Sequence, residues 1–149
     1  MEKHRIIILV AIIMVLSAAF ACNTNSTGND NEEGMRQLSD LEKMMSVKFP
    51  PGSKIVYTEN NGRNNESYYY HIIYSPSPVG FDHPPVSKTP SEDYLETLKK
   101  VSATQNLGKL KDKWTYRYEG TVGNGEWRAR QTNFETGSYL AIKKIFLGK

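Results

Sequence analysis

Residues 114–147, WTYRYEGTVGNGEWRARQTNFETGSYLAIKKIFL, decide the fold, because three runs rich in aromatic residues alternate there with two turn signals. Gly123-Asn124-Gly125 predicts a tight hairpin, since glycine and asparagine tolerate the positive φ that such turns require. The residues Glu135-Thr136-Gly137-Ser138 predict a second turn. We therefore expect an antiparallel meander of three strands, at 114–121, 126–134 and 139–147.

Two further strands are expected before this meander. Residues 54–59, KIVYTE, and 67–74, SYYYHIIY, are rich in β-branched and aromatic residues, and Asn60-Asn61-Gly62 between them is a turn signal. Their connection is long, so we predict a loose hairpin. Both alternating faces of the second strand are mostly apolar, which indicates a central strand or one with a covered second face.

Helical periodicity marks two segments. Residues 35–48 place apolar side chains at helical spacing, and Pro50-Pro51-Gly52 ends the pattern. Residues 91–103, SEDYLETLKKVSA, begin with a capping serine, Ser91, followed by two acidic residues. We thus predict an α+β fold in the order α-β-β-α-β-β-β, with an antiparallel sheet of about five strands packed against one or two helices.

A proline-rich connection, residues 75–90, joins the second strand to the second helix. Its five prolines predict an extended, rigid path. Phe81, Asp82 and His83 lie within it. One interpretation is a crossover whose Phe81 plugs the edge of the core, and the other is a binding loop.

The N-terminus, MEKHRIIILVAIIMVLSAAFAC, has the three-part order of a secretory signal: a basic start, an apolar centre and small residues before Cys22. Ala19-Phe20-Ala21-Cys22 resembles the lipobox of bacterial lipoproteins. The resemblance covers residues 1–22 only, and it implies cleavage after residue 21 and lipidation of Cys22. Because the same residues satisfy the plain A-x-A rule, secretion without lipid is one alternative, and retention by an uncleaved apolar segment is another.

Residues 23–34, NTNSTGNDNEEG, hold no large apolar side chain, so we expect a disordered tether. A single domain is then expected at 35–149. The resemblance implies attachment to a bacterial membrane through the lipid on Cys22, facing the periplasm or the exterior. In a Gram-negative host it implies the outer membrane.

Composition and motifs argue against several classes of function. The chain holds 19 basic and 16 acidic residues, a near balance that does not indicate a nucleic-acid partner. One cysteine allows no internal disulfide. No spacing of a zinc site or of a serine nucleophile is present, so we predict no metal, no cofactor and no enzymatic activity.

The aromatic strands suggest a function of another kind. We expect a non-catalytic module that binds a protein or a glycan of the cell envelope, and its candidate binding residues are Trp114, Tyr116, Tyr118, Trp127, Phe81 and His83. Burial in the core is the competing explanation for these aromatic residues. Arg117, Arg128 and Arg130 lie beside them. Arg128 and Arg130 share a strand face with Glu126, and a solvated charged face is their simplest interpretation. The alternative function is an envelope hydrolase with a site near His83 and Asp82.

Overall fold

The computed structural model describes residues 29–63 and 66–147, so Cys22 and the predicted signal peptide lie outside the described residues. Its elements in chain order are α1 Asn29–Met45, β1 Lys54–Arg63, β2 Glu66–Ser75, β3 Ser87–Pro90, α2 Ser91–Lys99, a 3-10 turn at Ser102–Thr104, β4 Trp114–Val122, β5 Gly125–Phe134 and β6 Gly137–Leu147. The chain divides into two compact units, Met1–Gly34 and Met35–Lys149, and all the strands lie in the second.

The six strands form one antiparallel sheet in the order β1-β2-β6-β5-β4-β3. This confirms the predicted α+β class, the antiparallel pairing of β1 with β2, and the meander of β4, β5 and β6. The long, loose connection expected at Asn60-Asn61-Gly62 is wrong, because these residues lie within β1 and the strand pairing continues to Arg63 and Glu66. The last strand, β6, pairs with both β2 and β5, which brings the two hairpins together. As expected from its two apolar faces, β2 is an inner strand.

Two hydrophobic clusters cover the two faces of the sheet. On the first face, Leu41 and Met45 of α1 pack with Ile73, Trp127 and their neighbours. On the second face, Tyr94 and Leu98 of α2 pack on another set of strand residues: Ile72, Phe134, Tyr139 and Ala141. We name these the α1 face and the α2 face. The alternation of side chains along each strand assigns every strand residue to one of them.

Details of the connection and of the first helix also differ from the sequence-based expectations. The strand β3 lies within the proline-rich connection, where its four exposed residues form a short sheet edge beside β4. Residues 29–34, expected to be disordered, form the start of α1. The helix then ends at Met45, before the prolines, because Ser46 adopts a positive φ and the Val47 amide bonds to the Glu42 carbonyl.

The start of α2 also differs from the expectation, since Ser91 is not its cap. Pro90 is the cap residue, with no side-chain hydrogen bond. Ser91 is the first helical residue and is buried, with its amide donating to the Lys113 carbonyl and its hydroxyl accepting from Thr115. This bond ties the beginning of α2 to β4. No helix within residues 29–63 and 66–147 is long and apolar enough to cross a membrane.

Candidate functional site

Four of the six candidate binding residues meet in one aromatic stack on the α1 face. The Phe81 ring lies parallel to the Tyr118 ring, with 3.8 Å between the ring centroids, and it also stacks against Trp127. His83 contacts the edge of the stack. Trp127 is 4% exposed and Tyr118 is 9% exposed. A partner could reach these two rings only by displacing Phe81. The two rings therefore belong to the core, which is the competing explanation for the aromatic residues.

A buried hydrogen bond and the packing of Phe81 attach the proline-rich connection to the α1 face of the sheet. Val79 is buried, and its amide donates to Oε1 of the buried Gln131 side chain at 2.8 Å. Phe81 then covers the aromatic rings of β4 and β5. This agrees with the interpretation of the loop as a crossover with Phe81 as its plug.

The remaining two candidates, Trp114 and Tyr116, lie half-buried at the β3–β4 edge. The ammonium groups of Lys88 and Lys113 lie 4.6 and 5.6 Å from the Trp114 ring centroid. The Tyr116 hydroxyl donates to Oδ2 of Asp112 at 2.5 Å, and this hydrogen bond is the main cause that raises the pKa of Tyr116. These side chains are accessible, but their polar and cationic partners come from within the domain.

The predicted hydrolase site at His83 and Asp82 has few catalytic features. Nδ1 of His83 lies 3.2 Å from the Pro84 carbonyl oxygen. The imidazole also lies beside three aromatic rings, those of Phe81, Tyr118 and Trp127. Among the described residues, no carboxylate is hydrogen-bonded to this imidazole to orient it as a base. Within the same residues, no group of three histidine, cysteine or acidic side chains is placed to hold a metal ion.

A different surface, on the α2 face, collects the groups that favour ligand binding. It is a groove of about 590 Å³ between the end of α2 and the tyrosines of β1 and β2. We name it the cationic groove. It is lined by Tyr57, Glu59, Tyr68, Tyr70, Tyr94, Thr97, Lys100, Val101, Arg117, Arg128, Arg130, Ala141 and Lys143.

Strand register brings the cations of the groove together. Arg117 of β4 is paired directly with Arg130 of β5, and Arg128 of β5 is paired directly with Lys143 of β6. Directly paired side chains start about 5 Å apart, and like charges in such positions destabilise a sheet. Ala141 of β6 is paired directly with Arg130 of β5, and its small side chain leaves space at the bottom of the groove.

Only part of this positive charge is neutralised by the domain. Glu119 lies 2.6 Å from Arg117, and Glu126 lies 2.6 Å from Arg128. Both glutamates lie nearer the tip of the β4–β5 hairpin than their arginines. Within residues 34–60, 68–101 and 103–146, no carboxylate lies within ion-pair distance of Arg130 or Lys143.

Tyrosine rings hold these two cations instead. The Arg130 guanidinium lies 5.3 Å from the Tyr94 ring centroid, and the Lys143 ammonium lies 4.4 Å from the Tyr68 ring centroid. Cation–π contacts orient a cation without neutralising its charge. Both cations can therefore still attract an anion while they contact these rings.

Hydroxyl groups complete the groove wall. The Tyr70 and Tyr94 hydroxyls lie 3.3 Å apart, and burial is the largest cause that raises the pKa of Tyr94, followed by the Tyr70 hydroxyl. A bond between two hydroxyls uses one of their two protons, so the other can be donated to a ligand. Glu59, the acid of the groove lining, already accepts from the hydroxyls of Tyr57 and Tyr68.

Two carbonyl groups at and just after the end of α2, those of Leu98 and Val101, accept hydrogen bonds from within the domain. The Val101 amide and the Thr104 hydroxyl both donate to the Leu98 carbonyl. The Thr104 hydroxyl and amide also lie within hydrogen-bond distance of the Val101 carbonyl. Free carbonyls at a helix C-terminus would repel an anion, and these contacts reduce that repulsion.

The comparisons with known proteins identify no relative. No family model matches the chain, and no match is found among curated proteins or among solved structures. The geometry of the described residues is therefore the basis for a functional proposal.

Proposed function

We propose that the chain is a lipid-anchored cell-envelope protein whose domain binds an anionic ligand in the cationic groove and catalyses no reaction. The observation that carries the binding proposal is the direct pairing of Arg117 with Arg130 and of Arg128 with Lys143. Each of these like-charge pairs costs the fold up to about 1 kcal/mol, and the ion pairs of Arg117 and Arg128 with Glu119 and Glu126 offset only part of that cost. Local conflicts of this kind are typical of functional sites.

The shape and chemistry of the groove support the same proposal. Its volume of about 590 Å³ is within the usual range of small-molecule sites, roughly 300–1,000 Å³. Tyrosine and arginine are residues that dominate binding energy at interfaces. Among the described residues of the lining there is no histidine, cysteine or serine. The carboxylate among them, Glu59, accepts from two tyrosine hydroxyls, which favours binding over catalysis.

This proposal moves the binding surface away from the residues that the sequence favours. The aromatic stack of Phe81, Tyr118 and Trp127 is part of the core, whereas the groove lies on the opposite face of the sheet. A protein or glycan of the envelope remains a suitable ligand, provided that it carries negative charge. The hydrolase alternative at His83 stays a prediction.

The binding proposal is tested by calorimetry on the mature full-length protein in neutral detergent. The probes at constant ionic strength are phenyl phosphate and citrate, with benzyl alcohol as the neutral reference. We expect saturable binding of at least one anion and none of benzyl alcohol. Arg130→Gln should weaken that binding about tenfold or more, because a hydrogen bond to a charged group is worth about 1.5–3 kcal/mol.

The matched control is Arg36→Gln, which removes the same charge from an exposed position on α1, the helix of the opposite face. It should bind the anions as the parent protein does. If no anion binds saturably, or if both variants lose affinity equally, the groove is not the binding site.

The anchor is tested separately, because Cys22 lies outside the described residues. The intact mass of the protein, purified with detergent from its own host, should correspond to a chain that starts at Cys22 and carries two or three acyl chains. About two acyl chains are required for stable membrane attachment. A free thiol on that residue would instead mean a secreted protein.

A further inference from the structure

We infer that the ligand of the cationic groove is a phosphate monoester carried on an organic body, an assignment that rests on the proposed anion binding. The first argument is charge. Five cations and Glu59 line the groove, and Glu119 and Glu126 at its rim bond to two of those cations. Five positive and three negative side chains leave a net charge of +2. A phosphate monoester at neutral pH carries close to −2, whereas sulfate esters, phosphodiesters and single carboxylates carry −1.

The second argument is the geometry of the donors. A guanidinium presents a planar fork of N–H groups that matches two oxygens of a phosphate. Among the side chains that the structure describes, no carboxylate occupies that fork at Arg130. Lys143 adds a compact charge from the neighbouring strand β6. The spare proton of the Tyr70 and Tyr94 hydroxyl pair supplies a neutral donor. A terminal phosphate group, with three oxygens, can accept from all three kinds of donor.

The third argument is size. The groove, at about 590 Å³, has room for a molecule much larger than an inorganic phosphate ion. Tyr57, Tyr68 and Tyr70 extend its wall from the cations toward β1. Tyrosine rings favour contact with flat or ring-shaped groups. The phosphate is therefore expected to be an end group on a body that lies against these tyrosines.

The inference is tested with two probes of the same shape and different charge. Phenyl phosphate is a dianion at pH 8, and phenyl sulfate is a monoanion. We expect the mature full-length protein in neutral detergent to bind phenyl phosphate about tenfold or more tightly than phenyl sulfate, a ratio that corresponds to about 1.4 kcal/mol. At pH 5 this preference should disappear, because the second phosphate pKa is about 6 and phenyl phosphate is then a monoanion too.

Variants separate the groove from nonspecific attraction. Arg130→Gln and Lys143→Gln should each reduce the phosphate-to-sulfate ratio at pH 8, while Arg36→Gln should leave it unchanged. Arg130→Lys keeps the charge but lacks the fork, so it should restore part of the affinity. The melting temperature of each variant, measured without ligand, shows whether a loss of binding reflects unfolding, and Lys143→Gln stands as the second variant if one fails to fold.

The outcomes distinguish this inference from the proposed function. Equal affinity for phenyl phosphate and phenyl sulfate would overturn the phosphate assignment and leave an anion-binding groove. If neither probe binds, the phosphate assignment and the proposed anion binding are both overturned.

A phosphate end group can belong to a soluble ester or to a lipid headgroup. Glycerol 3-phosphate and dihexanoyl phosphatidic acid, which share that group, distinguish the two: equal affinity supports a soluble ester, and a gain from the acyl chains supports a lipid.

Discussion

The guanidinium carbon of Arg130 lies 5.3 Å from the ring centroid of Tyr94, and this contact joins strand β5 to helix α2 at the cationic groove. The same arginine is paired directly with Arg117 on the next strand. It is thus held by an aromatic ring and opposed by a like charge. A residue in this position contributes little net stability to the fold and remains available to a negatively charged ligand.

The first prediction concerns the salt dependence of stability. Arg130→Gln removes a like-charge repulsion that costs the fold up to about 1 kcal/mol. It also removes a cation–π contact that stabilises the fold by about 0.5–1 kcal/mol. Because the two effects have opposite signs, the free energy of unfolding should change by less than about 1 kcal/mol. Salt screens repulsion between the cations, and the variant has less of this repulsion than the parent. The parent should therefore gain more stability than the variant between 10 and 300 mM NaCl. Urea unfolding at both concentrations measures this, and an equal gain would contradict it.

The second prediction separates the two tryptophans. Trp127→Ala should lower the free energy of unfolding by about 3–5 kcal/mol, because it opens a cavity in the aromatic stack on the α1 face. Trp114→Ala, at the half-buried sheet edge, should cost only about 1–2 kcal/mol. Denaturant unfolding with intrinsic tyrosine fluorescence measures both. Similar losses in the two variants would show that Trp127 is not the more deeply packed residue.

The third prediction tests how Gly120 accommodates Trp127. A Cβ atom on Gly120 would lie 2.6 Å from Cζ2 of the paired Trp127, so the indole must move when a methyl group is added. Gly120→Ala should therefore destabilise the domain by about 1–3 kcal/mol. Gly80→Ala is the matched control, since a Cβ there meets no atom within 4 Å. Equal stability of the two variants would refute the close packing.

The fourth prediction concerns acid. Burial lowers the pKa of His71, whose ring is bonded to the Thr58 hydroxyl in a recess shared with Asp40 and Lys144. The unfolded chain therefore binds a proton more readily than the folded chain, and stability should fall as the pH drops below about 6.5. His71→Gln should show a smaller fall than the parent in thermal unfolding at pH 7.5 and 5.5. His83→Gln, which keeps His71, should retain the fall of the parent, and an undiminished fall in His71→Gln would contradict the assignment.

The sequence predicts the local structure of the sheet well, for reasons of periodicity. Alternation along residues 114–147 and the Gly123-Asn124-Gly125 turn determine three strands and their order. The short turn even determines that Arg117 faces Arg130, because a hairpin register follows from the length of its turn. Strand β3 was missed, since one of its four exposed residues is Pro90 and its hydrogen bonds depend on a distant partner.

The sequence by itself thus determined the fold class, the two hairpins and the alternating faces of each strand, because these depend on neighbours along the chain. Tertiary structure decided which aromatic residues are core and which line a groove. Trp127 and Tyr118 are buried because Phe81 folds back onto them, and Lys143 lies beside Tyr70 because β6 pairs with the distant strand β2. Contacts between residues far apart in sequence leave no periodic pattern, so only the folded chain brings the cations and the tyrosines into one groove.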